Sequence, residues 1–574
     1  MKKVLLSLLC LVALTSMVAC SKGKKGTEEG KTPETSNDEV VTLTGTGKGF
    51  GGPITVTVKK QGDKIISVDA VGEKETQGIG TNALDQLPNK IVDANSTEVD
   101  VVTSATITSQ GIIDAVNNAL DPEKYPAPQE ESKEPEKPEE VTAAKVFQGF
   151  GVSNMGRLGP GKDDTDTQVY SINQVFAHTL FDEEGKILSL QVDVLEVATP
   201  NYDGDGMPHF SGFPGQGGYN YDENHDGKVE GKTKDTDDNF LAEVNGWVTK
   251  RERGDAYRMN SGTWASEMDT YEKVFVGMTV EEVEQWFTKY TSDLNGRPLV
   301  ADSDKPEDQT KYEKLTDDEK AMLVDVVSGA TMSLNDGHGN IIEAIKDSYE
   351  NRVGIDITAA ASQGFAVVSA PRVGPGKDDT DTQVYSVSQV LANTLFDKDG
   401  KIVALYVDTL EYATPNYDGA SMPHFTGFPG QAYNNDENHD GKVDGQITAT
   451  DDTFLAEINS WVTKRDRGEE YRMGTGTWAS QMDAFQKLFI GKTAAEVEEW
   501  FAKYTSDLNG RPLKADSDQA EDKAKYDKLT DDEKAMLVDV VSGATMSLND
   551  SHGNIIGAIK KSFENRANID LTIK

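Results

Sequence analysis

The nine residues Asp325-Val-Val-Ser-Gly-Ala-Thr331-Met-Ser333 return unchanged as Asp539-Val-Val-Ser-Gly-Ala-Thr545-Met-Ser547, and a looser copy stands at Asp100-Val-Val-Thr-Ser-Ala-Thr106. Each copy sets a β-branched pair, small residues and a hydroxyl residue before a segment with apolar residues at helical spacing. This pattern predicts a strand, a tight turn and a helix. Small residues let the backbone approach a ligand, and a helix start offers unpaired N–H groups to a phosphate. The three threonines are candidates to meet that phosphate, and ordinary helix N-capping is the alternative.

The pattern Asp-x-x-Ser/Thr-Gly-Ala-Thr resembles the attachment motif of FMN-binding domains. Such domains occur in the flavin subunits of sodium-pumping and Rnf-type respiratory complexes and in flavinylated surface lipoproteins of extracellular electron transfer. The resemblance implies that the last threonine is esterified to the FMN phosphate by a flavin transferase that uses FAD and magnesium. The implied cofactor-binding residues are Asp325, Ser328, Gly329, Ala330 and Thr331, then Asp539, Ser542, Gly543, Ala544 and Thr545, and in the first copy Asp100 and Thr106. Ser104 departs from the family, which has glycine there.

A second segment extends the resemblance. Glu75-Thr76-Gln77-Gly78 is similar to the Glu-Thr-x-Gly segment that lies against the flavin in small domains of this family. Read from the residues alone, it is a glycine-rich turn before a helix. In the rest of the chain the corresponding places are taken by Glu196 with Thr199 and by Glu411 with Thr414. The resemblance implies flavin contacts for these six residues.

The beginning of the chain predicts export. Residues 1–19 combine two lysines with an apolar run too short to span a membrane, which is typical of a signal peptide, and Met17-Val18-Ala19-Cys20 resembles a lipobox. We therefore expect Cys20 to be lipidated and to anchor the protein to an extracytoplasmic membrane or cell surface; an ordinary signal peptide or a short anchor is the alternative. Cys10 would leave with the signal, so Cys20 has no partner for a disulfide.

Composition then divides the rest of the chain. Residues 20–39 predict a flexible tether, 40–121 a small FMN-binding-type domain, and 122–142 a Pro/Glu-rich linker. Two large copies follow, at 143–357 and 358–574; Lys314–Asp336, for example, returns unchanged as Lys528–Asp550. The fold class is α+β: three domains of the FMN-binding type, each a twisted, mostly antiparallel sheet with helices on one face. Capping boxes predict helix starts at Thr279, Thr316, Thr493 and Thr530.

Each large copy also contains a partial calcium loop. The oxygen ligands stand at positions 1, 3, 5 and 9 of such a loop, with glycine at position 6: Asp222, Asn224, Asp226 and Glu230, then Asp436, Asn438, Asp440 and Asp444. Position 12, where a glutamate is expected, is Thr233 or Ile447 unless a later carboxylate such as Asp237 or Asp451 takes its part. A hydrated, Asx-rich turn is the alternative.

The net charge of −41 disfavours binding to nucleic acid. We expect a surface-anchored electron-transfer lipoprotein with up to three phosphoester-linked FMN groups, an electron carrier rather than a substrate-converting enzyme. Its implied partners are the flavin transferase, a membrane electron donor and an extracytoplasmic acceptor. Two alternatives are the flavin-carrying subunit of a separate reductase and an unflavinylated, calcium-dependent binding or adhesion lipoprotein.

Overall fold

A computed structural model describes residues 40–72, 74–75, 80–102, 105–127, 146–204, 206–259, 262–355, 357, 359–419 and 421–572. The expected signal peptide, Cys20, the first tether, Thr76 and Ser104 lie outside these residues. The chain divides into two compact units, Met1–Gln129 and Glu130–Lys574. Among the described helices, none has the length and apolar character needed to cross a bilayer.

The first unit is a three-stranded antiparallel sheet covered on one face by two helices. Its elements are β1 Val40–Lys48, β2 Pro53–Gln61, β3 Lys64–Val71, α1 Gly80–Ala94 and α2 Thr106–Leu120, and the strand order is β1-β2-β3. Alternate residues of β2, from Ile54 to Val58, are fully buried and share a core with Ile112 and Val116 of α2. Helix α2 lies directly on β1, because a Cβ atom added to Gly47 would stand 2.0 Å from the carbonyl oxygen of Gly111.

The first repeat begins with three long strands and continues with helices. Its strands are β4 Val146–Lys162, β5 Gln168–Phe181, β6 Ile187–Ala198 and the closing strand β7 Val353–Ile355. Its helices are α3 Asp237–Asn245, α4 Lys250–Arg253, α5 Trp264–Phe275, α6 Val280–Tyr290, α7 Pro306–Glu313, α8 Asp317–Gly329 and α9 Ile341–Glu350, with a 3-10 turn at Gly254–Ala256. Two short hairpins pair Asn220–Tyr221 with Gly231–Lys232 and Asn335–Asp336 with Gly339–Asn340.

The second repeat has the same plan. Its strands are β8 Ala359–Lys377, β9 Gln383–Phe396, β10 Ile402–Ala413, β11 Ala432–Asn435, β12 Gly445–Thr448 and β13 Ala567–Thr572. Its helices are α10 Asp451–Asn459, α11 Trp478–Phe489, α12 Ala494–Tyr504, α13 Ala520–Asp527, α14 Asp531–Gly543 and α15 Ile555–Glu564, with a 3-10 turn at Gly468–Glu470. Short hairpins pair Arg472–Met473 with Gly476–Thr477 and Asn549–Asp550 with Gly553–Asn554.

Each repeat builds a four-stranded antiparallel sheet, in the orders β7-β4-β5-β6 and β10-β9-β8-β13. The last strand of each repeat returns to pair with the first long strand. The predicted α+β class with antiparallel sheets is therefore confirmed. The four predicted capping boxes are also present, at the starts of α6, α8, α12 and α14.

The sheets of the repeats are covered on both faces, although the sequence led us to expect helices on one face only. In β5 and β9 every residue after the first is buried. One face packs against the repeat's own helices, and the other contributes to a core shared by both repeats, in which the rings of Phe210 and Phe425 lie 6.0 Å apart. Reciprocal hydrogen bonds cross the junction: Tyr170 donates to Asp451 at 3.1 Å, and Tyr385 donates to Asp237 at 2.6 Å. The two repeats form an internal, approximately two-fold pair.

The motif of the repeats is not arranged as a strand, a turn and a helix. Asp325–Gly329 forms the end of α8, Thr331 follows that helix, and α9 begins only at Ile341. The same holds for Thr545 after α14. The expectation that these two threonines stand at a helix start is therefore wrong.

The reason for the difference lies upstream of the motif. The capping box at Thr316 starts a helix, and the buried side chains of Leu323 and Val326 give it one apolar face. That helix continues through the β-branched pair and ends at the glycine. In the first unit Asp100–Val102 carries no strand, but α2 does begin at Thr106, as expected.

Candidate functional site

In the first unit, the helix turn that the motif threonine begins lies beside a buried carboxylate. Thr106 is the exposed first residue of α2. Glu75 is 9% exposed; one of its carboxylate oxygens accepts the backbone N–H of Gly51 at 3.0 Å, and the other accepts the hydroxyl of Thr108 at 2.5 Å. The structure thus brings the Glu75 segment and the first turn of α2 together. Asp100 is exposed, and its carbonyl oxygen accepts the Lys90 ammonium at 3.3 Å.

In the first repeat, a different glutamate holds the motif threonine. Glu267, on α5, is fully buried, and one of its oxygens accepts the backbone N–H groups of Thr331 at 2.8 Å and Met332 at 3.0 Å. The Thr331 hydroxyl lies 3.4 Å from the same oxygen. These two N–H groups are therefore satisfied by a carboxylate of the protein itself.

In the second repeat, an amide takes the place of that carboxylate. Gln481, on α11, is fully buried, and its side-chain oxygen accepts the N–H groups of Thr545 at 2.8 Å and Met546 at 3.1 Å. The contacts are the same, but the second threonine has a neutral partner and the first an acidic one. Sequence reasoning did not single out Glu267 or Gln481; the only signal was a Glu/Gln difference between otherwise matching Trp-Ala-Ser-x-Met-Asp segments.

The other motif residues lie around the end of each helix. Ser328 and Ser542 are exposed, and their hydroxyls donate to the carbonyl oxygens of Asp325 and Asp539. Ala330 and Ala544 are fully buried. A Cβ atom added to Gly329 would lie 2.6 Å from the Thr270 hydroxyl, whereas one added to Gly543 would lie 3.2 Å from the Ala484 methyl. Partial burial raises the pKa of the Asp325 carboxyl.

Glu196 and Glu411 are members of buried ion pairs. Glu196, on β6, lies 2.9 Å from the ammonium of Lys250, and Glu411, on β10, lies 2.7 Å from that of Lys464. All four side chains are at most 3% exposed. Burial alone would raise the pKa of each carboxyl, but the adjacent lysine outweighs it and holds the pKa below its ordinary value. Removal of one partner from such a pair is strongly destabilising.

Basic and aromatic side chains gather around the Glu196 pair. The Arg157 guanidinium lies 3.9 Å from Glu196, and the Arg253 guanidinium stacks 4.0 Å from the ring centre of Tyr257. Lys250 also lies 5.9 Å from the ring centre of Trp264, one helical turn before Glu267 on α5. The cluster is therefore connected through Trp264 to the residue that holds the motif.

Thr199 and Thr414 have their hydroxyls engaged at the edge of the sheet. The Thr199 hydroxyl accepts the backbone N–H of Tyr170 at 3.0 Å and donates to the side chain of Asn201 at 2.7 Å. Thr414 makes the equivalent bonds, 3.1 Å from Tyr385 N and 2.7 Å from Asn416. Both threonines are fully buried, so the structure gives them a clear role in holding the sheet edge.

The predicted calcium loops have the geometry of Asx-rich loops. Ligand atoms of Asp222, Asp226 and Glu230 lie within 4.8 Å of one another, and Asp222 accepts the N–H groups of Asp226 and Gly227. Asn224 donates its amide to Glu230 at 2.6 Å. Asp237 does not supply a twelfth-position ligand here, because it bonds to the hydroxyl of a tyrosine in the other repeat.

The second loop repeats the backbone pattern with a shorter ninth residue. Asp436 accepts the N–H groups of Asp440 at 3.1 Å and Gly441 at 2.8 Å, and Asp440 N also lies 3.0 Å from Asn438. Asp444, one methylene shorter than the glutamate of the first loop, accepts the N–H of Glu437 at 3.0 Å.

Comparison with known proteins adds a family to this geometry. A model of the FMN-binding domain matches residues 49–121. Chlorophenol reductase of Desulfitobacterium hafniense is 38% identical over 225 residues, which cover 37% of this chain and 59% of that protein. NADH:acrylate oxidoreductase of Vibrio harveyi is 37% identical over 75 residues, 13% of this chain and 8% of that protein. Urocanate reductase of Eggerthella lenta is 40% identical over 78 residues, 14% of this chain and 13% of that protein.

The chain therefore spans less than two thirds of the length of each of these relatives. The 225 matched residues of chlorophenol reductase exceed the 129 residues of the first unit, so that likeness extends into the repeats. The segment matched by the family model contains Glu75 and Thr106, the two residues that the structure brings to the start of α2. Together these findings support a flavin-carrying role in electron transfer. Residues 49–121 are thus the part of the chain that matches the FMN-binding domain family.

Proposed function

We propose that the protein is a covalent flavin carrier, in which Thr106, Thr331 and Thr545 each form a phosphoester with FMN and the protein passes electrons between other redox partners. The observation that carries the proposal is the family match over residues 49–121, where an exposed threonine hydroxyl begins a helix next to the buried Glu75. The first N–H groups of a helix have no intrahelical partner and favour an anion. The residues at Thr106 therefore fit a phosphate ester.

The three threonines differ in how well their surroundings fit a phosphate. Thr545 is half-buried beside the neutral Gln481, while Thr331 has the carboxylate of Glu267 in the same place. When bound, FMN supplies the redox chemistry. The residues of the chain fix the threonine backbone, set the local charge and limit the access of water. On this reasoning Thr545 accepts the flavin more readily than Thr331.

Intact-mass measurement after co-expression with a flavin transferase tests the attachment. We expect up to three FMN additions per chain, one fewer in each of Thr106→Ala, Thr331→Ala and Thr545→Ala, and none in the triple variant, because alanine has no hydroxyl to esterify. Thr310→Ala is the matched control, since that exposed hydroxyl lies outside the motif and bonds only to a backbone oxygen in the structure. Covalent FMN that persists in the triple variant would contradict the assignment.

We further propose that the carrier is anchored through Cys20 to an extracytoplasmic membrane or surface and relays electrons from a membrane donor to an extracytoplasmic acceptor. The relatives are reductases or oxidoreductases, which favours a second candidate, in which the chain is the flavin-carrying part of a reductase. Stopped-flow reoxidation distinguishes them: a relay reoxidises with a redox protein or mineral alone, whereas a reductase component needs its substrate and a catalytic partner.

We also propose that the first Asx loop binds Ca²⁺, supported by the clustering of Asp222, Asp226 and Glu230. A ligand that binds only the folded state raises the melting temperature. We expect millimolar Ca²⁺ to raise the melting temperature relative to chelator, and Asp226→Asn with Glu230→Gln to remove most of the rise. Asp235→Asn, an acidic change outside the proposed ligand set, is the control. Identical melting curves in chelator and Ca²⁺ would show that the loop is an ordinary turn.

A further inference from the structure

Four of the seven histidines of the chain form two equivalent pairs, one in each repeat. His424 and His439 have ring centres 5.4 Å apart, and His209 and His225 have ring centres 6.1 Å apart. In each pair one histidine follows a proline after the long third strand, and the other is the fourth residue of the Asx loop. Sequence spacing does not show the pairs, because about fifteen residues separate their members.

One ring nitrogen of each histidine in the second pair is buried without a hydrogen-bond partner. His424 Nε2 and His439 Nδ1 are both inaccessible to solvent and make no hydrogen bond. His209 Nε2 is in the same condition in the first repeat. Buried polar groups are normally satisfied, so a recurring exception needs a cause. A neutral imidazole offers a ring nitrogen to a metal ion, which would satisfy such an atom.

Both rings are held by fixed backbone. The carbonyl oxygen of His424 accepts the indole N–H of Trp461 at 2.8 Å, and a β-bridge joins His424 to Ala413 at the end of β10. His439 has a left-handed backbone conformation with φ 57°. Asp436 stabilises this conformation because it accepts the backbone N–H groups of the next two residues, Asp440 and Gly441. The two imidazoles are therefore placed by the fold itself.

The spacing suits two imidazoles on one ion. A zinc ion lies about 2 Å from an imidazole nitrogen with roughly tetrahedral angles, which places two ligand rings with their centres roughly 5 Å apart. The rings line a pocket of about 830 Å³, together with Asp436, Glu437 and Glu457. Water from this pocket would complete the coordination of an ion held by the two rings.

We propose that His424 and His439 form a binding site for a divalent transition metal of the zinc class, with His209 and His225 as the equivalent site in the first repeat. Nitrogen ligands distinguish this site from the oxygen-lined calcium loop beside it, because imidazole favours zinc, nickel and copper, whereas calcium takes oxygen ligands. The proposal is independent of flavin attachment.

Titration of the metal-free, full-length protein with Zn²⁺ alone tests the site, and calorimetry measures the binding. The visible absorption of bound Co²⁺ is a second measurement. We expect up to two equivalents of Zn²⁺ per chain. His439→Asn should remove one equivalent, or weaken it at least tenfold, and asparagine tolerates the left-handed backbone at this position. Because a change at His424 could disturb the fold, His424→Gln serves as a second variant, with circular dichroism as its check.

His338→Asn and His552→Asn are the matched controls, since both histidines lie in loops and pair with a neighbouring aspartate. Zinc binding that keeps its wild-type stoichiometry in these controls and falls by one equivalent in His439→Asn supports the proposal. No binding to the wild-type chain, unchanged binding in His439→Asn, or binding lost in the control variants would overturn it.

Discussion

At the scale of single residues, the sequence identified the candidate threonines but not the groups that hold them. Thr331 and Thr545 were recognisable because each is the seventh residue of a nine-residue stretch that occurs twice in the chain. Glu267 and Gln481 were not recognisable, because polar side chains in a helical segment are usually exposed to solvent. Only the packing of α5 and α11 shows that both side chains are fully buried. Glu75, by contrast, was predicted from its local segment as a flavin contact, and it lies beside the helix that Thr106 begins.

The charge difference between Glu267 and Gln481 gives a residue-scale prediction. A carboxylate 2.8 Å from the Thr331 N–H repels an incoming phosphate, and two unit charges 4 Å apart interact by about 4 kcal/mol at an effective dielectric constant of 20. We expect Thr331 to be flavinylated more slowly than Thr545, by tenfold or more. Time-resolved peptide mass spectrometry after addition of the transferase measures both rates.

Exchange of the two side chains is the control for that prediction. Glu267→Gln should accelerate attachment at Thr331, and Gln481→Glu should slow attachment at Thr545, while Thr106 keeps its rate in both variants. If the two rates of the wild-type chain are equal, or if the exchange leaves them unchanged, local charge does not govern attachment.

At the scale of elements, α8 shows which feature of a helix the sequence pattern did not predict. The capping box at Thr316 correctly predicted the start of the helix, but the sequence did not predict its end. The valine pair that favours a strand also fits a helix with one buried face. The antiparallel sheets of the repeats were predicted correctly in kind. Their burial on both faces was not, since the covering surface comes from the other repeat.

The turn between β4 and β5 gives an element-scale prediction for acid stability. Burial alone would raise the pKa of Asp163, but hydrogen bonds from Asn220, Asn201 and Thr165 lower the pKa to about 2. The folded pKa is thus below the ordinary value of 3.8. The stabilisation is present above that ordinary value and is lost as the pH falls from about 4 towards 2.

Urea unfolding at several pH values measures this effect. We expect Asp163→Asn to flatten the fall in the free energy of unfolding between pH 4 and 2, and the equivalent Asp378→Asn to do the same, because Asp378 also has its pKa lowered to about 2. Asp166→Asn is the control in the same turn, where the side chain is 85% exposed. A pH dependence unchanged by either substitution would show that these carboxyls titrate normally in the fold.

At the scale of the whole molecule, the two repeats depend on each other for their core. Sequence comparison revealed the duplication, but it could not show that aromatic residues of both copies meet, because each copy alone reads as a complete domain. Phe210, Phe240 and Phe454 are all buried in the shared core. A single repeat would expose this aromatic surface to water.

Disruption of the shared core should therefore destabilise both repeats at once. Phe210→Ala removes a fully buried ring and is expected to cost about 3–5 kcal/mol. Hydrogen exchange should accelerate in α11 of the second repeat as well as in α5 of the first. Leu294→Ala, at a side chain that is 57% exposed, is the control and should leave both unchanged. Faster exchange in α5 alone would show that the repeats unfold independently.

The internal pairing of the repeats also changes what a single amino-acid substitution can do. In a dimer of identical chains every substitution appears twice, so its two halves stay alike. Here the halves are encoded separately, and one can change while the other is kept. Glu267 against Gln481 is one such difference; His178 against Asn393, at equivalent places in the central strands, is another. With the flavin attachment proposed above, a covalently joined pair would hold two unequal centres and give electron flow a direction, which strict symmetry forbids.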